Sequence, residues 1–255
     1  MSTELFDLSA RVALVTGSSR GLGLILARGL AQSGATVVLN GRNTETLDLA
    51  VNTLREEGFS VAGYPFDVVN RERVEEQVSR IETEVGPIDI LVNNAGIQSR
   101  APTAEMEESE WRRVLDINLT GVFLATQPVA RGMIRRKRGK IINICSLQSE
   151  VGRPTIAAYT AAKGGVKMLT RTMAVEWAKY NIQVNGIGPG YFATEMNTAL
   201  INDPQFDRWI KNRTPAGRWG RPEELIGTAV FLASEASSFL TGQIIYVDGG
   251  VLASL

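Results

Sequence analysis

The stretch from Ser146 to Gly164 reads SLQSEVGRPTIAAYTAAKG and carries a serine, a tyrosine and a lysine on one short path. Tyr159 and Lys163 stand four apart in an alanine-rich run, a spacing that puts both on one face of a helix. Ser146 lies upstream, just past the apolar run KIINIC, where a strand would end. Free tyrosine, with a reference pKa of about 10, is a poor base near neutrality. An ammonium about 4 Å away, at an effective dielectric of about 20, favours a phenolate by about 4 kcal/mol, and desolvation takes part of that back. Lysine so placed makes tyrosine a usable acid or base. A serine hydroxyl beside the same reacting oxygen would hold it by a neutral hydrogen bond. This is proton-transfer chemistry assembled without histidine, which the chain lacks altogether.

A second set of residues has a different chemistry. The first apolar run leads straight into TGSSRGLG, Thr16 to Gly23, and then into a helical pattern. Gly17, Gly21 and Gly23 allow a tight turn and close backbone approach to a pyrophosphate, which the following helix N-terminus favours. Ser19, Arg20 and Leu22 complete the expected dinucleotide loop. After the second strand of such folds an acid binds the ribose 2′-hydroxyl, whereas an arginine accommodates a 2′-phosphate. Here the segment reads VVLNGRN, with Arg42 and no acid, and Arg20 adds a second cation on the same side. NADP is the expected cofactor, with NAD as the weaker alternative.

Positioning these groups requires a particular alternation of elements. Strands are expected at RVALVT, TVVLN, VAGYPF, DILVNN, KIINIC, IQVNGI and QIIYVD, with helices starting near Leu22, Thr44, Arg71, Trp111, Ile156 and Pro222. Continuously apolar strands separated by helices predict an α/β fold, a doubly wound parallel sheet of about seven strands covered on both faces. At 255 residues the chain suits one Rossmann-type domain over 1–255, and the stretch 193–220 interrupts the rhythm as a substrate-lid insertion. Lys plus Arg balance Asp plus Glu at 27 each, which leaves no electrostatic footprint for nucleic acid or an anionic membrane. One cysteine, Cys145, excludes an internal disulfide framework and suits a reducing cytoplasm. The N-terminal residues lack the basic, apolar and small-residue series of a signal peptide, and no apolar run reaches membrane-spanning length. The absence of histidine excludes a serine–histidine triad and the His-containing zinc sites, and no metal is expected.

The motifs TGSSRGLG, FDV, NNAG, Ser146…Tyr159-xxx-Lys163, PGYFAT and VDGG span nearly the whole chain. In that order they resemble the short-chain dehydrogenase/reductase family. The resemblance implies that Tyr159 is the acid/base, that Lys163 also grips the nicotinamide ribose, and that Asn118 in LDINLTG completes the set by holding a water that relays protons to Lys163. It further implies that Asp67 and Val68 sit beside the adenine and that Asn94, Ala95 and Gly96 line the cofactor. Pro189, Gly190, Phe192 and Thr194 would face its carboxamide and pyrophosphate.

Within the family, NNAGIQSR, INICSLQSEVGRPTI, VKMLTR, NIQVNGIGPGYFATEM and RTPAGRWG resemble the gluconate 5-dehydrogenase branch, which interconverts D-gluconate and 5-keto-D-gluconate. Arg100, just after NNAG, suits the carboxylate of a sugar acid by bidentate pairing. Gln148, Ser149, Glu150 and Arg153 would read its hydroxyls, with Ser146 and Tyr159 at the reacting carbon. The polar register of this loop argues against a steroid or acyl substrate. Alternatives are a 3-oxoacyl-carrier-protein reductase or another sugar or polyol dehydrogenase and, more remotely, a non-catalytic NADP-binding regulator. The helices around WRRVLDINLTGVFLATQPVARGM and AAYTAAKGGVKML are apolar over more than one face, and related proteins pair these helices, so a homotetramer is expected.

Overall fold

The computed structural model describes residues 4–194 and 197–254. Its strands are β1 (Val12–Val15), β2 (Thr36–Gly41), β3 (Val61–Pro65), β4 (Ile88–Asn93), β5 (Gly139–Ile144), β6 (Ile182–Pro189) and β7 (Ile244–Val247). They form one sheet in the order β3-β2-β1-β4-β5-β6-β7, with every neighbouring pair parallel. All seven expected strands are present, each within a few residues of its sequence signal. β1, β4 and β5 are buried along their whole length. That is why they read as unbroken apolar runs rather than alternating ones.

The alternate sides of these strands feed two apolar layers. Val15, Leu39, Val92 and Ile142 pack with Leu26 and Leu30 of α1 (Gly21–Gln32), Leu47 of α2 (Thr44–Glu56) and Ala229 of the C-terminal helix. Leu14, Val38, Leu91 and Ile141 pack on the other face with Val74 and Ile81 of α3 (Arg71–Glu84) and more distant helices. Asn43 and Asn70 start α2 and α3 by accepting from the N–H of Thr46 at 2.8 Å and of Arg73 at 3.1 Å.

The helix expected near Trp111 begins earlier and is not uniform. α4 (Glu108–Leu115) runs into one π-helical turn, Asp116–Thr120, and on into α5 (Gly121–Arg136). α6 (Ala157–Trp177) follows β5 and carries Tyr159 and Lys163. Between β6 and the last helix come α7 (Thr198–Ile201) and α8 (Pro204–Arg213), inside the expected lid 193–220, of which Glu195 and Met196 lie outside the described residues. The base of this insertion is stitched by Ala193 N–H to Gly220 O and Gly220 N–H to Tyr191 O, both 2.9 Å. Pro222 opens a 3₁₀ turn rather than an α-helix, and α9 (Ile226–Ala233) follows it. Among the described residues no helix is long and apolar enough to cross a membrane.

Candidate active site

Strand order reverses between β1 and β4, because β2 and β3 lie to one side of β1 and β5 to β7 beyond β4. The loops leaving these two strands therefore diverge and open a crevice at the carboxyl edge of the sheet. The glycine loop leaves β1 and the NNAG segment leaves β4, so they face each other here. Gly17 and Gly21 have φ of +62° and +58°, a region that glycine enters without strain. A Cβ on Gly23 would lie 2.4 Å from Asn94 Nδ2 and 2.5 Å from Gly17 O, whereas one on Gly21 would meet nothing within 4 Å beyond its chain neighbours and its own helix. Among the described residues no side chain caps the start of α1. Uncapped helix N–H groups beside a glycine with clear space around it suit a pyrophosphate.

The supports of this loop were not legible as site residues. Asn40, at the end of β2 and almost fully buried, accepts from Gly17 N–H at 3.1 Å and donates to Phe66 O at 3.0 Å. Ser18 donates to Val15 O, and Thr16 Oγ1 accepts from the N–H groups of Asn94 and Ala95. Asn94 returns its amide to the carbonyls of Thr16 and Gly17, both at 3.0 Å. A polar residue ending an otherwise apolar strand, as in VVLN, was the available signal. Ser19 and Leu22 are half-buried in the loop, and Gly41 fits closely against the Ser19 side chain.

Arg42 and Arg20 both stand exposed at this end of the crevice. Arg42 lies 3.6 Å from Asp67, with its side chain 66% exposed. Val68 is buried against Gly121, and Gly96 lies against Asn118. Pro189 ends β6, and just beyond it Gly190 N–H donates to Val247 O at 2.9 Å. Phe192 is buried, and its carbonyl accepts from the Thr194 N–H and from the Asn197 amide.

Of the three residues of the opening motif, Ser146 lies two residues past β5, and Tyr159 and Lys163 lie on α6. Lys163, 4% exposed, donates from Nζ to Ile144 O at 2.5 Å and lies 5.6 Å from the centre of the Tyr159 ring. That carbonyl takes one of the three donors of an ammonium. Ser146 Oγ donates to Gln148 Oε1 at 2.6 Å and accepts from Gln148 N–H at 3.3 Å, so Gln148 orients the serine. Ser149 turns its hydroxyl onto Lys163 O at 2.9 Å. Glu150, expected with its neighbours to read sugar hydroxyls, instead anchors the whole turn: it accepts from Lys167 Nζ at 2.5 and 2.6 Å and from Tyr246 Oη at 2.6 Å. Those bonds, Lys167 first, hold its carboxyl below the usual range.

Asn118 lies in the π turn and is fully buried. Its Oδ1 accepts from Ile97 N–H and its Nδ2 donates to Ile97 O, both at 2.8 Å. A π turn displaces helical side chains from their regular register, and such turns recur at functional sites. Here it brings a helix residue onto the main chain just beyond NNAG. Cys145 beside Ser146 is buried, and burial pushes its thiol up to about 11, which makes it a poor nucleophile.

On the lid side, the guanidinium of Arg153 lies 4.6 Å from the ring centre of Phe206 in α8. Burial, and then the charge of Arg153, lower the pKa of Arg100, which also responds to Tyr191. The 97–101 and 150–156 loops are tied by Ala101 N–H to Thr155 O at 3.0 Å. Taken together, the crevice has a glycine-rich loop with two exposed arginines at one end. At the other, Ser146 follows β5 and the Tyr159 ring lies beside a buried ammonium, with Arg100 and Arg153 on the tied 97–101 and 150–156 loops.

Residues 17–252 match the family described as enoyl-(acyl carrier protein) reductase. Gluconate 5-dehydrogenase of Gluconobacter oxydans (strain 621H) is 55% identical over 252 residues, 99% of this chain and 98% of its own. The 2-dehydro-3-deoxy-D-gluconate 5-dehydrogenase of Formosa agariphila is 52% identical over 257 residues, 100% of this chain and 97% of its own. The crystal structure of a gluconate 5-dehydrogenase from Burkholderia cenocepacia J2315 in complex with NADP and tartrate superposes with a TM-score of 0.98 at 52% identity, covering 100% of both chains. With a glycine cradle at the switch point, a Tyr–Lys pair on α6 and these relatives along its full length, the chain belongs to the short-chain dehydrogenase/reductase family of oxidoreductases.

Proposed function

We propose that this chain is an NADP(H)-dependent oxidoreductase that interconverts D-gluconate and 5-keto-D-gluconate. The observation that carries the reading is the pairing of a Tyr159–Lys163 proton-transfer couple with Arg100 and Arg153 on adjoining loops, which suits a polar anion rather than an apolar ketone. NADP, when bound, supplies the hydride acceptor or donor. In the oxidation, Tyr159 Oη takes the proton of the C5 hydroxyl while its hydride leaves from carbon, and in the reduction it returns that proton. Ser146, oriented by Gln148, hydrogen-bonds the reacting oxygen. Lys163 would hold the ribose beside the Tyr159 ring, and Asn118 keeps one amide hydrogen beyond Ile97 for a relaying water.

Residues 1–255 would act as one nucleotide-binding domain, with 193–220 over the substrate. The tetrameric reading is supported by Phe123 on α5 and Met168 and Val175 on α6, which are 39%, 55% and 82% exposed. A monomeric mass in sedimentation at micromolar concentration would remove it. A reducing cytoplasm is the compartment that suits the lone buried thiol.

A second reading rests on the Formosa relative, whose substrate is also a six-carbon acid named for reaction at carbon 5. An NADP(H)-absorbance assay over sugar acids and their keto forms, in both directions and including 2-dehydro-3-deoxy-D-gluconate, separates the two. Activity confined to acyl thioesters or neutral polyols would overturn both.

Two arginines give paired tests. Charge-assisted hydrogen bonds contribute about 1.5–3 kcal/mol, and exposure puts Arg42 near the lower end. Arg42→Ala should raise the KM for NADPH about tenfold and leave NADH nearly unchanged; equal losses for both cofactors would remove the case for 2′-phosphate recognition. Arg100→Ala should do the converse, raising the KM for the sugar acid about tenfold to a hundredfold and sparing both cofactors. Unchanged gluconate kinetics would return Arg100 to an ordinary loop residue.

A further inference from the structure

The lid touches the substrate side of the crevice through an aromatic cluster. Tyr191, at its base, packs edge-on against Phe206, Trp209 and Trp219, with ring centres 6.3, 6.0 and 6.0 Å apart. Phe206 also lies 5.4 Å from Trp209 and 6.3 Å from Trp219. Trp219 is pinned in turn, because its Nε1 donates to Asp207 Oδ1 at 2.8 Å. At the start of α8, Asp203 accepts from the N–H groups of Gln205 and Phe206, which fixes the backbone beneath the ring. Phe206 is therefore held by its neighbours on one side and presents its face to Arg153 on the other. Among the described residues neither Arg153 nor Arg100 has a carboxylate within 4.0 Å. A guanidinium seated on a ring keeps its edge N–H groups directed outward, in the plane that pairs with a carboxylate.

We propose that Phe206 is a specificity-determining positioning residue: its ring seats the Arg153 guanidinium beside Arg100, so that the two cations together hold the carboxylate of the sugar acid under α8. The proposal rests on the sugar-acid reading above and adds the residue that aims one of its cations. It also makes the charge of the substrate the feature that α8 selects. Without an anion the two guanidinium groups repel each other across the loop pair, and a carboxylate between them converts that repulsion into two attractions. Neutral polyols offer no such exchange and leave both cations unpaired.

The test uses the full chain with NADPH, and Phe206→Leu, Phe206→Tyr and Arg153→Ala. Leucine fills most of the space without a π face, whereas tyrosine restores the face. Phe206→Leu should raise the KM for 5-keto-D-gluconate about fivefold to tenfold, with kcat within about twofold and NADPH affinity unchanged, and Phe206→Tyr should return it to near the parent value. Calorimetric titration of tartrate into the NADPH complex gives the same comparison without turnover, and its Kd should rise by the same factor in Phe206→Leu and in Arg153→Ala. If tartrate binding falls in this pattern while no sugar acid is turned over, the positioning role stands and the gluconate reading fails. If gluconate is oxidised normally and Phe206→Leu leaves both KM and the tartrate Kd unchanged, the positioning role is overturned and the gluconate reading stands. A drop in kcat alone, or equal losses in the leucine and tyrosine variants, would likewise overturn it.

Discussion

Tyr159→Phe is expected to lower turnover at least a hundredfold, and up to about ten-thousandfold, while NADPH binds as tightly as before. General acid–base transfer contributes about 10²–10⁴ to rate, and this substitution removes the proton donor while keeping the ring. Lys163 Nζ lies 5.6 Å from the centre of that ring, so the phenylalanine preserves the contact on which the ammonium rests. The buried position of Lys163 and its bond to Ile144 should thus survive. Fluorescence titration with NADPH and single-turnover absorbance with 5-keto-D-gluconate read the two quantities separately. Retention of a tenth or more of parental turnover, with chemistry rate-limiting, would mean that another group moves the proton.

Lys163→Ala is expected to damage both quantities. The ammonium is 4% exposed and donates to the carbonyl of Ile144, two residues before Ser146. Its removal takes a charged donor from that carbonyl, a loss of about 1–3 kcal/mol, and leaves a cavity beneath the site. Turnover should fall by at least a hundredfold, as for Tyr159→Phe, because the buried amine that sits against the Tyr159 ring and the β5 end is lost from the site. NADPH affinity should fall tenfold or more, which Tyr159→Phe does not produce. Lys163→Arg should rescue neither, since a buried pocket fitted to a single amine has no room for a planar guanidinium. If Lys163→Ala bound NADPH as well as the parent, the lysine would act on Tyr159 alone and the ribose contact would have to be abandoned.

Much of this site follows from neighbours in sequence. The glycine loop is legible because a strand, a turn needing positive φ and a helix start are consecutive, and each has its own residue preferences. Tyr159 and Lys163 are legible because an interval of four fixes a shared helix face before anything packs on it. The seven strands are legible because burial on both faces leaves unbroken apolar runs. The start of the helix near Trp111 was misplaced by three residues, and its π turn was not foreseen, since residues 108–136 carry an ordinary helical pattern throughout. Likewise Pro222 opens a 3₁₀ turn where a helix was expected, because proline at a first position fits either geometry.

What tertiary structure alone decided are the meetings of residues far apart in the chain. Asn118 reaches the main chain of Ile97, Asn40 braces Gly17, Glu150 ties α6 to β7 through Lys167 and Tyr246, and Arg153 rests on Phe206. It also decided direction: Ser149, a candidate for sugar hydroxyls, spends its own on the Lys163 carbonyl, and Gln148 turns to Ser146. Local propensity and periodicity specify which face of an element is apolar and where it begins. They carry no information about which element covers that face or which buried polar group will find which partner. Those choices are made by the packing of the whole sheet, since a buried hydrogen-bonding group must be satisfied by whatever the fold brings within reach.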